Sequence, residues 1–384
     1  MKVLLLIQAA SMDDISILLK SFPTDTEFIM LTGSEIEFPQ VKIIKTTSHD
    51  SSSLLGRLRC WCKYYLEVSE WVKKEGKLEH FDLIYGNSNP PINSILGVKL
   101  KKMLHTPYIY MNWDIYPQII EESYSNIVVK FICKLWHRIN NINYPKIERM
   151  LTIAPIMADS INKPLNKKIE IGVVPIACDV ETLKPIPKLN NIFVKEHSLL
   201  GKFIVLYSGK LGYGHNISAI LGAAELLRDY KDIVFLFIGK GPRCAEVKKY
   251  IDSGSTNVKL LPLQPNNVFP YSMASGDIGL VSQEESLAHL FLPSKTFSMM
   301  ACGMPVIGLC SEKDDLNHLL TESGTGIPVI HADANKVADA VLQLYKDADL
   351  RRQMGAKARD LIKNEYSEEA VAKKYRDEIY RILR

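Results

Sequence analysis

The segment VLYSGKLGYGHN, residues 205–216, has the pattern of a buried strand, a glycine-rich turn and the start of a helix. The turn contains three glycines, Gly209, Gly212 and Gly214. Glycines allow a backbone to approach a ligand closely, and the N–H groups at the start of the helix favour a phosphate. Lys210 and His215 lie in the same turn and can add positive charge. Structural tight turns share this pattern, so the segment by itself leaves the ligand open.

Similar units extend along the chain in both directions from this segment. Short aliphatic or β-branched runs alternate with longer amphipathic stretches, which is typical of βα units around parallel sheets. In the first half, strands are predicted at 3–7, 27–32, 82–86, 107–112, 150–155 and 169–176. In the second half, strands are predicted at 203–209, 234–239, 258–263, 278–282, 305–309 and 326–330. The sequence therefore predicts an α/β protein with a parallel sheet in each half.

A break in this alternation predicts two domains. The 384 residues allow two or three domains, and the polar, proline-containing stretch at 177–202 has the composition of a linker followed by a short helix. We expect doubly wound, Rossmann-like domains at 1–180 and 181–366, with a ligand cleft between them. A separate amphipathic helix at 367–384 can pack back onto the first domain.

The charge of the chain excludes one class of partner. Its 47 Lys and Arg exceed its 43 Asp and Glu by only four, so nucleic acid is not expected to bind. Residues 54–149 hold 14 basic and nine acidic side chains. This local excess is either a solvated mixed-charge surface or a patch for an acidic partner, such as a phospholipid surface or a lipid-linked phosphate.

The cysteines and the apolar runs indicate a compartment. Seven scattered cysteines form no CxxC pair, so we expect neither a disulfide framework nor a zinc site, and free thiols suit the cytoplasm. No apolar run reaches the roughly 20 residues that span a bilayer. The opening MKVLLLIQAA superficially resembles a signal peptide. Because Asp13 and Asp14 follow it, a buried first strand is the preferred interpretation.

A second informative segment is LPSKTFSMMACGMPVIG, residues 292–308. Ser294 suits the N-cap of a short helix, Gly303 suits the position after its end, and a buried strand follows. Lys295 would occupy the first turn, where the helix dipole disfavours a cation. An anionic ligand such as a diphosphate would reverse this effect and make Lys295 a binding residue. The alternative is a solvated lysine at a helix start.

Four segments together resemble the retaining, family 4 type glycosyltransferases with GT-B architecture. VVPIACDVETLKP at 173–185 is similar to that family's interdomain junction, and the turn within 205–216 is similar to its donor-phosphate loop. FIGKGP at 237–242 resembles a further glycine-rich turn, and MMACGMPVIG at 299–308 is similar to the family's most recognisable segment. PSKTF, within 292–308, resembles a subgroup that builds bacterial exopolysaccharide and surface-polysaccharide repeat units.

This resemblance implies a reaction and a role for each domain. The reaction would be transfer of a sugar, of the hexosyltransferase type, from a nucleotide-sugar donor to a glycan or polyprenyl-linked acceptor, with retention of configuration. UDP is the favoured donor nucleotide and GDP the second. The second domain would bind the donor and the first the acceptor. No metal cofactor is expected, because cationic side chains and helix N-termini would stabilise the leaving diphosphate and no DxD motif follows a predicted strand.

The sequence departs from the family at a common Glu-x7-Glu pair. Leu290 and Ser298 stand at those positions, so the usual carboxylate contacts to the donor sugar and the ribose are missing. We predict that Lys295 takes over part of the phosphate binding. Glu284 or Glu285, just after a predicted strand, can reach the sugar; a solvated loop is the equal alternative.

The resemblance carries further residues into the predicted donor site. Lys210 replaces a frequent arginine of the family, and His215 replaces a frequent lysine. The predicted catalytic residues of the chain are Asp114, Lys210 and Lys295. The predicted substrate-binding residues are Gly209, Gly212, Gly214, His215, Ser294, Thr296, Ser298, Glu284 and Glu285.

The first half carries one of these candidates. MNWDIYP, residues 111–117, follows a predicted strand and presents Asp114 at its carboxyl end. The position resembles an acidic residue at the cleft of the subgroup, so Asp114 can orient the acceptor hydroxyl or take its proton. An Asx turn before Pro117 is the alternative. The family's usual Gly-Gly loop after the first strand is replaced by QAASMDD at 8–14.

Two basic and aromatic stretches, 54–74 and 127–139, are candidates for contact with the inner membrane surface. The second spaces Lys130, Lys134 and Arg138 at four-residue steps. Amphipathic basic helices lie on anionic membranes, and the alternative is a pair of ordinary core helices with solvated outer faces. The expected location is therefore the cytoplasm, with peripheral association with the cytoplasmic membrane face.

Three other classes of protein fit part of the pattern. One is a two-lobed protein that captures a small ligand without chemistry. Another is a degenerate, nucleotide-binding accessory subunit of a glycosyltransferase, which the missing Glu pair favours. The third is a GT-B enzyme with another reaction, such as a phosphorylase or an epimerase.

Overall fold

The computed structural model describes residues 1–50, 54–123 and 126–383. The chain divides into two compact units, one formed by Met1–Pro175 with Glu369–Arg384 and the other by Ile176–Glu368. Each unit is a parallel sheet with helices packed on it. The predicted α/β fold with two Rossmann-like domains is confirmed.

Seven parallel strands form the sheet of the first unit, in the order β3-β2-β1-β4-β5-β6-β7. They are β1 (Lys2–Leu6), β2 (Glu27–Thr32), β3 (Val41–Lys45), β4 (Leu83–Asn87), β5 (Tyr108–Asn112), β6 (Arg149–Thr152) and β7 (Ile171–Val173). The opening apolar run is the interior strand β1, in which Leu4 pairs with Ile29 on one side and Ile84 on the other. Strand β3 was not predicted from the sequence.

The helices of the first unit follow its strands along the chain. They are α1 (Met12–Lys20), α2 (Leu54–Lys74), α3 (Asn93–Leu104), α4 (Gln118–Ser123), α5 (Ile127–Asn143) and α6 (Pro155–Asn162). Helix α1 begins after Ser11, whose side chain accepts a hydrogen bond from the backbone N–H of Asp14. Asp13 and Asp14 thus lie in its first turn, where the helix dipole favours acidic residues.

Six parallel strands form the sheet of the second unit, in the order β10-β9-β8-β11-β12-β13. They are β8 (Phe203–Lys210), β9 (Ile233–Lys240), β10 (Val258–Leu261), β11 (Ile278–Ser282), β12 (Val306–Cys310) and β13 (Gly326–Ile330). The strand order reverses at β8, so the turn after β8 lies at the carboxyl edge beside the turns after β9 and β11. Ligands of doubly wound sheets bind at such a point.

The helices of the second unit are α7 (Ile192–Glu196), α8 (Ile217–Leu226), α9 (Cys244–Asp252), α10 (Phe269–Met273), α11 (Lys295–Ala301), α12 (Asp315–Ser323), α13 (Ala334–Lys346) and α14 (Ala348–Leu361). A π-helical turn, Ile362–Tyr366, ends α14. Helices α8 and α13 pack on one face of the sheet, where Ile220, Val337 and Val341 are fully buried.

The last helix, α15 (Glu368–Leu383), packs against the first unit. Val371, Ala372, Tyr375 and Ile379 form its buried side. Glu378, on the same side, forms an ion pair with Arg149 of β6. The predicted return of this helix to the first domain is confirmed. Within the described ranges, no helix combines the length and the apolar character needed to cross a bilayer.

Candidate functional site

The glycine-rich turn after β8 gives the predicted site its shape. Gly209 has a φ of +127°, and a Cβ at this position would lie 3.3 Å from Lys295 Cε. Only glycine adopts this backbone conformation readily while leaving room for the lysine. A Cβ at Gly212 would make only ordinary contacts, 3.6 Å or longer, and one at Gly214 would lie 3.2 Å from Leu287 Cδ1. The strict requirement for glycine is therefore at Gly209.

Lys295 lies alongside this turn. Its Nζ is 2.8 Å from the hydroxyl of Tyr207 and 4.1 Å from the centroid of the Tyr207 ring. It also lies 3.4 Å from the backbone oxygen of Lys210. Burial lowers the pKa of Lys295 to about 7, because the charged ammonium is poorly solvated there. An anion bound beside Nζ would raise this pKa again.

His215 is a neutral residue of the site at neutral pH. Burial, followed by the charge of Lys295, lowers its pKa to about 4. Its Nδ1 donates to the backbone oxygen of Ser282 at 2.5 Å, which leaves Nε2 as a hydrogen-bond acceptor. The expectation that His215 adds positive charge is therefore wrong for the unliganded protein, because its desolvation outweighs its tendency to protonate.

The start of α8 is tied to the end of β11. The side chain of Asn216 accepts from the backbone N–H of Ala219 at 3.1 Å and so caps the helix. The backbone N–H of Asn216 donates to Ser282 Oγ at 2.7 Å, and that of Glu284 donates to the Gly214 oxygen at 3.0 Å. The backbone N–H of Ala219, one of the groups at the helix start that were predicted to bind a phosphate, is therefore already bonded to the capping side chain.

The start of α11 differs in part from the predicted cap. Ser294 occupies the N-cap position but has helical backbone angles, and its side chain makes no capping hydrogen bond within the described residues. Thr296 is buried, and its Oγ1 has no hydrogen-bond partner in the described part of the chain. Ser298 is partly buried. Gly303, with a φ of +74°, follows the helix as predicted.

The two acidic candidates are each paired with a base of the same unit. Glu284 Oε1 accepts from Arg243 at 3.3 Å, and Glu285 Oε1 lies 2.8 Å from His331 Nδ1. A cavity of about 260 Å³ is lined by Asn216, Gln283, Glu284, Glu285, Ser286, Cys310, His331 and Ala332. The segment after β11 is thus a polar pocket wall whose two carboxylates contact basic side chains of the same unit. A role of these carboxylates in sugar binding stays a prediction.

Arg243 and His331 belong to this region and were missed from the sequence. Arg243 follows the FIGKGP turn, and its backbone N–H donates to the Leu211 oxygen at 3.1 Å. Its side chain is mostly buried, and among the described residues its Nε has no hydrogen-bond partner. His331 follows β13 with a φ of +49°. The available signal was position, since each residue comes directly after a predicted strand or its turn.

Asp114 lies in the first unit, after β5. Its side chain is exposed, and its backbone N–H donates to Ser88 Oγ, which follows β4, at 3.2 Å. The same oxygen accepts from the N–H of Trp113 at 3.0 Å. Ser88 therefore fixes the backbone of the loop that carries Asp114 at the carboxyl edge of the sheet.

The two predicted membrane stretches differ in what they expose. In α2, Trp61, Tyr64 and Trp71 are buried in the first unit, so the aromatic part of this stretch belongs to the core, as the alternative interpretation held. In α5, by contrast, Phe131 and Leu135 are exposed.

No group of three or more His, Cys, Asp or Glu among the described residues is arranged to hold a metal ion.

The second unit and the fold can both be compared with known proteins. Residues 202–347 match the family model described as Glycosyl transferases group 1. The two Rossmann-like domains are those of the GT-B fold. The second unit is therefore similar to the group 1 glycosyltransferases.

Individual relatives agree with this similarity. The chain is 23% identical, over 77% of its length and 74% of the relative, to a probable glycosyltransferase, WbjE, of Pseudomonas aeruginosa. It is 32% identical, over 33% of its length and 31% of the relative, to WcaI of Escherichia coli (strain K12), a putative colanic acid biosynthesis glycosyl transferase. The structure of Anabaena HepE in complex with UDP-glucose superimposes with a TM-score of 0.73 at 14% identity, covering 99% of this chain and 100% of HepE.

Proposed function

We propose that this protein transfers a sugar from a nucleotide-sugar donor to a glycan or polyprenyl-linked acceptor. A UDP-sugar is the favoured donor. The product would be a bacterial surface polysaccharide, formed with retention of configuration and without a metal. The family match of the second unit, the name of WcaI and the UDP-glucose in HepE support the reaction, the pathway class and the donor respectively.

The observation that carries this proposal is the position of Lys295. Its Nζ lies against Tyr207 and the Gly209 turn, at the switch point of the sheet. During transfer, the bond between the sugar and the diphosphate oxygen breaks, and negative charge develops on the leaving nucleoside diphosphate. A cation placed there before the reaction lowers the energy of that state. Lys210, which is exposed at the end of β8, can approach the same phosphates.

Other residues of the second unit would complete the donor site. Thr296 Oγ1, which is buried without a partner in the described part of the chain, can donate to a phosphate oxygen. Ser294, at the N-cap of α11, and Ser298, within this helix, can bind the donor through their hydroxyls. Glu284 and Glu285 would accept hydrogen bonds from sugar hydroxyls and keep their contacts to Arg243 and His331. Nε2 of His215 would accept one further hydrogen bond from the donor.

Asp114 would act on the acceptor. Its exposed carboxylate, on a loop fixed by Ser88, can orient an acceptor hydroxyl or take its proton as the new glycosidic bond forms. We place the reaction on the cytoplasmic side of the membrane. The seven cysteines, all of which are free thiols, support a reducing compartment.

A nucleotide-binding accessory subunit is the second candidate function. Leu290, at the first position of the missing Glu pair, is fully buried and offers no group to a sugar. Glu284 and Glu285 are already paired within the unit. A chain with these features can bind a nucleotide without turning over a nucleotide sugar.

The release of nucleoside diphosphate separates the two candidates. The protein would be incubated with UDP- and GDP-sugars and with a bacterial lipid extract as the source of acceptor, with Lys295→Met as the control. An enzyme releases nucleoside diphosphate in proportion to labelled acceptor, and the variant does so at least about tenfold more slowly. Binding without release for every donor would favour the accessory subunit.

A further inference from the structure

Helix α5 presents its most apolar side to the solvent. In its first nine residues, five large apolar side chains are exposed: Ile127 (83%), Val128 (61%), Phe131 (71%), Ile132 (48%) and Leu135 (52%). We call these five residues the α5 face. Their spacing at i, i+1, i+4, i+5 and i+8 places them on one side of the helix. Cys133 and Asn140 are instead the buried residues of α5, so the usual orientation of an amphipathic helix is reversed.

Basic residues border the α5 face. Lys130, Lys134 and Arg138 are exposed and follow one another at four-residue steps along one edge of it. The sequence of α5 contains no Asp or Glu. The acidic residue facing the helix from its neighbour α4 is Glu121, which lies 3.0 Å from His137 and is partly buried. An apolar face with a cationic edge is complementary to a surface that has an apolar interior and anionic headgroups.

A second copy of the chain fits this surface less well. A symmetric dimer would bring the same patch of two chains together. The rows of Lys130, Lys134 and Arg138 would then meet at the rim of one interface, where like charges repel. An anionic lipid surface satisfies the apolar face and the cations at once.

We propose that the α5 face docks onto an anionic phospholipid bilayer. The apolar side chains of the face enter the boundary between headgroups and acyl chains, while Lys130, Lys134 and Arg138 along its edge contact lipid phosphates. The helix lies on the surface and does not cross it. This proposal concerns binding to lipid and stands without the sugar-transfer reaction.

The docking helix is connected to the loop that carries Asp114. Trp136 of α5 stacks on Tyr116 with ring centroids 5.9 Å apart, and Trp61 of α2 contacts both rings. Tyr116 is two residues from Asp114. A bound bilayer therefore lies next to the element that fixes this loop. If the proposed transfer holds, an acceptor sugar anchored by a lipid tail would reach Asp114 from the membrane surface.

Cosedimentation with vesicles tests the proposal. The wild-type protein should bind vesicles of phosphatidylglycerol mixed with phosphatidylcholine, and bind pure phosphatidylcholine at least about tenfold more weakly. Phe131→Ser with Leu135→Ser should weaken binding at least about tenfold, since two of the inserted side chains are lost. Replacing Lys130, Lys134 and Arg138 by Gln should remove most of the dependence on salt and on phosphatidylglycerol.

Matched controls keep the result specific. Leu55 and Leu66 of α2 are as exposed as the α5 residues, at 79% and 65%, and their double change to Ser should alter binding less than about twofold. Circular dichroism would verify that each variant is folded. An equal loss in both double variants, or no binding of the wild type at low salt, would overturn the proposal.

Two further readouts separate lipid docking from self-association and from damage to the donor site. A dimer seen by analytical ultracentrifugation and lost in the Phe131→Ser, Leu135→Ser variant would assign the α5 face to a second copy and overturn lipid docking. Hydrolysis of a soluble nucleotide sugar should be the same in this variant as in the wild type. The vesicle assay requires no sugar transfer, so failure of the proposed enzyme function and failure of lipid docking give different results.

Discussion

Lys295 owes its unusual state to three neighbours in one short segment, residues 207–210. The missing side chain of Gly209 leaves it space, the Tyr207 ring lies beside its Nζ, and the Lys210 oxygen lies near it. Burial in this setting holds its pKa at about 7. The residue can therefore gain its charge when an anionic ligand arrives, instead of holding an unpaired charge in the unliganded protein.

Exchange of Lys295 should affect donor binding directly. We expect Lys295→Met to raise the Kd for UDP at least about tenfold, because a charge-assisted hydrogen bond is lost. Lys295→Arg keeps the charge and should bind more tightly than Lys295→Met. Lys248, an exposed lysine of the same unit, provides the control, and Lys248→Met should leave the Kd unchanged. Equal binding by Lys295→Met and wild type would remove Lys295 from the site.

The sequence was sufficient to find some residues of the site and insufficient for others. Gly209 was predicted from the glycine-rich turn between a strand and a helix. Lys295 was predicted because a cation at a helix start breaks a local rule. The neutral state of His215 was not predictable, since it depends on burial in the folded unit and on the nearby charge of Lys295. Arg243 was missed because its proximity to Glu284 arises from pairing across the sheet.

At the scale of elements, the buried strands were the easiest to predict. Strands β1, β2 and β11 are continuous apolar runs because helices cover both faces of each sheet. Strand β3, VKIIK, was missed because its lysines interrupt the run. It is an edge strand, and charges on an edge prevent pairing with other chains.

The sequence could not predict which side of helices α2 and α5 faces the solvent. Both contain basic and aromatic residues, so both fitted a membrane surface. Trp61 and Trp71 of α2 turned out to be buried, whereas Phe131 of α5 is exposed. The choice depends on which side of each helix meets the sheet, and tertiary packing decides that.

Helix α15 should depend on its ion pair with the first unit. Glu378 and Arg149 are both largely buried, and Glu170 is a second partner of Arg149. We expect Glu378→Ala to lower the free energy of unfolding by about 2 kcal/mol or more, because it leaves Arg149 with only an exposed partner. Urea unfolding followed by tryptophan fluorescence reports on this unit, since all four tryptophans lie in it.

The same helix supplies a control for this prediction. Asp377 is exposed, and Asp377→Ala should change the free energy of unfolding by less than about 0.5 kcal/mol. If both variants unfold at the same urea concentration as the wild type, the pair between α15 and β6 does not stabilise the first unit.

At the scale of the whole molecule, the two units were predicted from one chain-wide pattern. Alternating strands and helices, interrupted once, were enough to predict two parallel sheets. The return of α15 to the first unit was predicted only as a possibility of its amphipathic pattern. Its partners, β6 and the core around Tyr85, are far away in sequence, so no local pattern reveals them.

Transfer by the whole protein should not require a divalent metal. The proposed site neutralises the leaving diphosphate with Lys295 and Lys210, so we expect rates in EDTA to equal those in Mg²⁺ within about twofold. Nucleoside diphosphate release in the two conditions measures this directly. Loss of release in EDTA, restored by Mg²⁺, would show that a metal carries that role.

Calorimetric titration of the whole protein with UDP and GDP at pH 8 is the most direct test of whether Lys295 binds the donor diphosphate. Free Lys295, with its pKa near 7, is mostly neutral at that pH, and a bound diphosphate raises the pKa. We predict that the preferred nucleotide binds with uptake of about one proton, seen as a different heat in Tris and in HEPES. We also predict weaker binding as the pH rises above 7, and no such uptake in Lys295→Arg. Absence of binding by both nucleotides, or equal proton uptake by Lys295→Arg, would contradict this role of Lys295.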